Sequence, residues 1–307
     1  MPELAAADLD RFYLELSNWR RWGDDDQRGA LNHLTPAHRA HAATLVRDGE
    51  SVSLARNLAT APTPENPFPA HHHMLAAGDA RDSNGIPGYE AARDYVGSDV
   101  HGLGVTHVDA LSHMFVRGEM YGGRPASDVR SDGARSNTVM AMADGVVGRG
   151  VLLDIPRLRG EAFLENHDFI TRADLEAAAS AAGITVSTGD ILLVSWGRDA
   201  RRRAKRGFDG MAGLHPDCLP WLHEREIAVL GSDGISDPMP SLPIENWPFP
   251  IHQIGITAIG LHLIDNMALG RLAEKCAERN RWEFLFTMAP LRIERATGSP
   301  VNPVAVL

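Results

Sequence analysis

"HGLGVTHVDALSHMF", residues 101–115, sets three histidines and an aspartate among glycines and apolar residues. On an extended strand, residues two apart share a face. His107, Asp109, Leu111 and His113 are then in phase, and His101 joins them if the strand begins that early. Val108 and Ala110 point the other way. A strand this apolar, framed by Gly102 and Gly104, reads as facing inward. Buried imidazole and carboxylate need partners, and a divalent metal satisfies several at once. Histidine nitrogen and aspartate oxygen suit zinc, manganese or iron. The spacing H-x-D-x-x-x-H also divides the work. His107 and Asp109 are placed to chelate one ion. His113 stands off it as general acid or base, because imidazole titrates near neutrality. The competing reading is a set of satisfied core histidines: the chain carries 14 of them, and so loose a pattern also arises by chance.

The rest of the chain narrows the class. Its 307 residues suffice for a full core, and 44% hydrophobic with 23% charged residues fits a folded, water-exposed protein. A formal charge of −10 gives no basic face for nucleic acid. The basic run "RDARRRAKRG", residues 198–207, reads as a solvated helix face or loop. No run has the length of a membrane span, and the first residues lack the pattern of a signal peptide. Cys218 and Cys276 form no C-x-x-C pair, so we expect no disulfide framework, no thiolate zinc site and a cytoplasmic location. No G-x-S-x-G elbow and no G-x-G-x-x-G fingerprint is present, which disfavours a serine hydrolase and a nucleotide cofactor.

Working outward, residues 3–16 carry an apolar stripe (Leu4, Leu9, Phe12, Leu16) at helical spacing. Thr35-Pro36 opens a helix running to about Val46. Residues 51–55 read as a strand and residues 60–90, rich in Pro, Gly, Asn and His, as a long loop. Apolar strands follow at 150–155, 190–197, 227–233 and 282–291. Helices are expected at 171–183, with Thr171 as cap, and at 266–280. The alternation predicts one α/β domain over 1–307, with 1–36 as an N-terminal helical arm placed to pack on a partner.

"THVDALSH", residues 106–113, resembles the signature T-H-x-D-x-P-x-H of the cyclase family of metal-dependent hydrolases, which includes kynurenine formamidase, isatin hydrolase and trans-dienelactone hydrolase. The likeness extends to residues 18–36, "YGG" at 121–123, "GRGVLLDI" at 148–155, "GDILLVSWG" at 189–197, "LGSDGISD" at 230–237 and "TGSPVNP" at 297–303. It therefore covers nearly the whole chain and its longer-chain branch. It implies a swivelling β/β/α fold: a mixed sheet or barrel-like core flanked by helices. It also implies a divalent cofactor, zinc or manganese, with one ion expected and two possible. The chain departs from the family's H-x-G-T-H at Leu103 and Val105, and Leu111 stands for the proline. Leu103 removes a metal-ligating histidine, for which His101 is the candidate replacement. The other half of the family site corresponds to His252 and Asp265, the latter a ligand or a helix cap.

Other candidates have plainer alternatives. Trp19 and Trp22 read as a substrate-pocket wall or as anchors of the arm. Asp233 is a second-layer acceptor for a histidine or a turn former. The histidines at 71–73 read as loop residues, and His33, His38, His41, His215, His223 and His262 receive no role. The expected function is hydrolysis of an amide or a lactone or ester bond in a small, aromatic or cyclic substrate. Metal-activated water is the nucleophile and His113 the general acid/base. Rival readings keep the metal but run a cyclisation or dehydration, or bind a metal or small ligand without turnover. A structural oligomer is the blandest alternative. A homodimer or higher homo-oligomer is expected, with no nucleic acid or membrane partner.

Overall fold

The computed structural model describes residues 4–81 and 85–307. Residue 3, where the first apolar stripe begins, and residues 82–84 of the expected loop lie outside the described residues. In chain order the main elements are α1 (Ala6–Glu15), α2 (Pro36–Ala43), β1 (Ser51–Ser53), β2 (His71–Ala76), β3 (Arg93–Gly97) and β4 (His107–Asp109). Then come β5 (Val146–Asp154), α3 (Ile155–Arg159), α4 (Arg172–Ala181), β6 (Ile191–Ser195), α5 (Arg198–Arg203), α6 (Cys218–Glu224) and β7 (Val229–Ser232). The chain closes with α7 (Pro250–Ile254), β8 (His262–Asp265), α8 (Gly270–Arg279), β9 (Glu283–Met288), β10 (Gly298–Pro300) and β11 (Val304–Val306).

Among the described residues, nine strands form one sheet in the order β1-β11-β9-β5-β6-β7-β8-β4-β10. The four central strands β5 to β8 run parallel and the flanking ones antiparallel. Every residue of β6, β7 and β8 is buried. This is why β6 and β7 read as apolar runs, as strands buried on both faces of a parallel sheet do; β8, His262–Asp265, carries a polar residue at each end and does not stand out in the sequence. The side chains of the strands divide into two apolar layers, one holding Leu153, Val194, Trp196 and Leu230, the other Leu152, Ile191, Leu193 and Phe284.

The sheet cannot be flat. β10 lies at one edge and β11 second from the other, yet only residues 301–303 separate them. Seven strand spacings of about 4.8 Å would place them roughly 34 Å apart, whereas the link reaches at most about 14 Å. The sheet therefore curls into a half-barrel. Val301 N–H donates to Thr106 C=O at 3.0 Å and Leu54 N–H to Pro303 C=O at 2.8 Å, one on each side of the gap.

Local chemistry sets the element ends. Thr171 Oγ1 accepts from Asp174 N–H, and the Asp174 carboxylate returns the bond to Thr171 N–H, closing a capping box. Thr35 caps α2, which ends at Ala43, three residues before Val46. The expected loop at 60–90 is corrected: β2 lies within it and pairs antiparallel with β3. Alternation could not reveal this hairpin, because both its faces are exposed. The N-terminal helix α1 buries Leu9 and Tyr13 against the chain's own body, and Trp247 Nε1 donates to Asp10 at 3.0 Å. No described helix is long and apolar enough to cross a membrane.

Candidate metal centre

β4 is shorter than the sequence phase implies. It spans His107–Asp109 between β8 and β10, while 101–105 and 111–113 leave the sheet. The carbonyls of Gly102, Leu103 and Val105 are taken by side chains instead. Asn266 Nδ2 donates to Gly102 at 2.6 Å and Val105 at 3.1 Å, and Arg198 Nη2 to Leu103 at 2.9 Å. The bend carries His101 back over the sheet. His113 follows in the turn beyond β4, and its ring stacks on that of His101 with centroids 3.8 Å apart.

Asp109 is the centre of the arrangement and is fully buried. Its Oδ1 lies 2.9 Å from His101 Nδ1 and 3.4 Å from His107 Nε2, and its Oδ2 lies 3.5 Å from His252 Nε2. β8 pairs Asp265 directly opposite His107, and Asp265 Oδ2 lies 3.3 Å from His252 Nε2. Two groups of donor atoms gather within ligating reach: His107, Asp109 and Asp265, all buried, and His101, Asp109 and His113. Asp109 belongs to both. Two buried carboxylate oxygens, Asp109 Oδ2 and Asp265 Oδ1, have no hydrogen-bond partner. Unpaired buried carboxylate oxygens are costly, and a divalent cation among imidazole nitrogens satisfies them. The donor set fits such an ion.

The electrostatics follow the same geometry. Burial disfavours charge on His107, but Asp109 and then Asp265 outweigh it and carry its pKa up to about 9. Burial likewise opposes the charged His252, and Asp265, Asp109 and Asp237 hold it well above the usual value. His113 goes the other way: burial dominates, Asp109 opposes it, and His101 and His252 add to the drop, to about 4. His113 is therefore a neutral imidazole at pH 7 in this arrangement.

His252 is fixed from behind. Its Nδ1 lies 2.7 Å from Asp237 Oδ2, and Asp237 also accepts the backbone N–H groups of Ile251 and His252. The carboxylate turns Nε2 toward Asp109 and Asp265, as partners of ligating histidines do. Asp233 does not take this role. It accepts from Ser195 Oγ and from the N–H groups of Trp196, Gly197 and Arg198, tying the start of α5 to the end of β7.

The expected site residues thus separate into two sets. His101, His107, Asp109, His113, His252 and Asp265 come together. Asp265 does not cap a helix, since α8 begins at Gly270. Trp19 donates to Thr257 C=O at 2.6 Å and meets Tyr13 edge-on, while Trp22 packs edge-on against His33. These contacts anchor the N-terminal segment. Sequence reasoning missed Asp237, and Thr297, whose hydroxyl lies 3.0 Å from His101 Nε2. It also missed His262, whose Nδ1 lies 2.9 Å from the Asp109 carbonyl, and Arg198, which is buried rather than solvated. Thr297 lies in a stretch the resemblance marked, but nothing in the spacing pointed to a role.

Residues 35–237 match the family described as "Putative cyclase", and the chain belongs to that family. A solved structure described as a novel cyclase superposes with a TM-score of 0.85 at 33% identity, covering 95% of this chain and 100% of that one. An isatin hydrolase bound to the product analogue thioisatinate gives 0.59 at 20% identity, covering 86% and 94%. A "predicted metal-dependent hydrolase" from Bacillus stearothermophilus gives 0.50 at 16%, covering 83% and 97%. The last two likenesses are of fold alone. No curated protein matches the chain.

Proposed function

We propose that this cyclase-family chain is a metal-dependent hydrolase that cleaves an amide or a lactone or ester bond in a small, cyclic or aromatic substrate. The observation that carries the reading is Asp109: a fully buried carboxylate facing imidazoles on both oxygens, with Oδ2 unpartnered. His107, Asp109, Asp265 and His252 would hold one zinc or manganese ion, and His101 with Asp109 would hold a second. When bound, such an ion supplies Lewis acidity, polarising a carbonyl and lowering the pKa of water toward neutrality. His113 accepts the proton of the attacking water and returns it to the leaving nitrogen or oxygen. Asp237 keeps His252 oriented throughout, and burial keeps competing water away from the carboxylates. The isatin hydrolase likeness supports a cyclic amide as the first substrate to try.

The family description favours a second reading, in which the same residues run a cyclisation or dehydration. Elemental analysis of the untagged protein beside His107→Ala and Asp109→Ala tests the shared premise, and turnover in ¹⁸O-water separates the reactions. One or two ions per chain, lost in both variants, with solvent oxygen entering the product, supports hydrolysis. Turnover without label points to cyclisation, and a parent that takes up no zinc or manganese rejects both. A cytoplasmic homo-oligomer belongs to the same reading. Exposed Met74, Leu75, Tyr95 and Val96 on the β2–β3 hairpin support the oligomer, which light scattering checks; fractionation of the cells checks the location.

A further inference from the structure

A second ion beside Asp109 would depend on the His101 ring, which is held from four directions. Leu103, at the position of the family's ligating histidine, packs against an apolar layer instead. His101 stands over the sheet in its place. Its Nδ1 lies 2.9 Å from Asp109 Oδ1, and its Nε2 lies 3.0 Å from Thr297 Oγ1. One face stacks on His113, with centroids 3.8 Å apart and planes within 6° of parallel. An edge rests on Gly298, where a Cβ would fall 2.7 Å from Cε1 and 3.1 Å from Nε2. The ring therefore cannot turn over without losing both of its nitrogen contacts.

Thr297 is itself fixed to the strand that carries Asp109. Its carbonyl accepts the Ala110 N–H at 2.9 Å, and its neighbour Gly298 pairs with Asp109 in the sheet. Among the described residues its hydroxyl bonds to the His101 ring alone. That contact bears on which nitrogen carries the proton. A neutral imidazole has one N–H and one lone pair, and the partner of one nitrogen sets the state of the other. An ionised carboxylate only accepts, so in the metal-free protein Nδ1–H donates to Asp109 and Nε2 accepts from the hydroxyl. To ligate through Nδ1 the ring needs the other tautomer: Nδ1 gives its proton to solvent, Nε2 takes one up, and the ring stays neutral. Nε2–H then needs an acceptor. A threonine hydroxyl donates or accepts, so it serves both tautomers without moving.

We propose that Thr297 is a positioning residue for a second divalent ion: its hydroxyl accepts His101 Nε2–H and so leaves the Nδ1 lone pair to share that ion with Asp109 Oδ1. This rests on the metal-dependent reading above and adds the residue that governs the second ion. Losing the partner of a ligating histidine weakens metal binding about 10–100-fold.

Zinc titrated into the metal-free full chain against a chromophoric chelator tests this in the parent, Thr297→Val and Thr297→Ser. Valine keeps the shape and removes the hydroxyl, whereas serine keeps the hydroxyl. The parent should bind two ions. Thr297→Val should hold the tighter ion as the parent does and the weaker one about 10–100-fold less tightly, and Thr297→Ser should stay near the parent for both. Nitrogen-15 NMR of the histidine-labelled, zinc-loaded parent reads the tautomer directly. The His101 signals, identified by their loss in His101→Gln, should show a protonated Nε2 and a zinc-bound Nδ1. That measurement decides the matter even if Thr297→Val does not fold. An unweakened second ion in Thr297→Val, equal weakening in Thr297→Ser, or an Nδ1 that keeps its proton in the loaded parent overturns the inference. A parent that binds only one ion also overturns it and leaves the hydrolase reading intact, whereas a parent that binds no zinc defeats that reading as well.

Discussion

Residues 71–73 place three histidines in a row, and residues 101–113 spread three over thirteen positions. The denser set gathers nothing. On β2 the side chains alternate, so His72 turns to Asp94 (2.7 Å) while His73 stacks on Tyr95 across the hairpin, all of them exposed. The sparser set converges on one buried carboxylate. The difference is in what stands behind each segment. β4 has β8 on one side and β10 on the other, and Asn266 and Arg198 grip the loop before it. The β2–β3 hairpin has no other strand on either edge among the described residues. Imidazole density does not gather donor atoms; convergence imposed by tertiary packing does.

The contrast can be broken most severely at its hub. Asp109→Asn should strip the protein of metal and reduce turnover to background, as read by elemental analysis and by assay. Retained metal would show that Asp109 is not shared between two donor groups. Next in size is Gly298→Ala. Its Cβ would fall 2.7 Å from His101 Cε1 and 2.8 Å from the Val108 carbonyl. The variant should lose about 1–3 kcal/mol of stability and the weaker of two ions, checked by denaturant melts and metal titration. Unchanged stoichiometry would remove His101 from the ligand set. Asp237→Asn should cost about 10–100-fold in metal affinity, the usual effect of losing a ligand's supporting carboxylate. A competition assay with a chromophoric chelator measures this, and an unaltered affinity would mean His252 is oriented by its other contacts.

A pH series sharpens the comparison more gently. In the metal-free protein His107 is raised from 6.5 to about 9, and His252 is raised too. A folded-state value above the unfolded one contributes stability that is complete below pH 6.5 and is lost as pH climbs through 9. The melting temperature of the metal-free protein should therefore fall across that interval. Metal-loaded protein should not show the fall, since bound ions displace the protons. A flat metal-free profile would contradict the electrostatic picture. The smallest effect belongs to the hairpin: replacing His71, His72 and His73 together by alanine should leave metal content unchanged, and a lost ion would overturn the contrast itself.

Much of this is legible in the sequence. Continuous apolar runs located β5, β6, β7 and β9, because buried parallel strands and their neighbours leave little else to encode. Thr171 announced α4 through a local capping box. The H-x-D-x-x-x-H spacing brought out His107, Asp109 and His113. What stayed hidden depends on long-range contact. Asp237 lies 15 residues from His252 and Thr297 lies 196 from His101, and no periodicity relates them. The phase argument placed His101 rightly near Asp109 for the wrong reason. It arrives by a bend held through Asn266 and Arg198, not along an extended strand. The hairpin escaped notice because it buries neither face, so its sequence carries no alternation.

The curl of the sheet has a consequence for the order in which the protein can be made. Residues 298–306 supply both the strand that flanks β4 and the one that joins β1 to β9, and Thr297 is the partner that holds the His101 ring. A growing chain exposes residue 113 long before residue 297 exists. At roughly 5–20 residues per second the interval is about 10–40 s. Through that time the imidazoles are free to meet any ion in solution, with no cage to grade them by size or geometry. Discrimination among metals, which in proteins rests on geometry more than on raw affinity, begins only when the half-barrel is stapled shut.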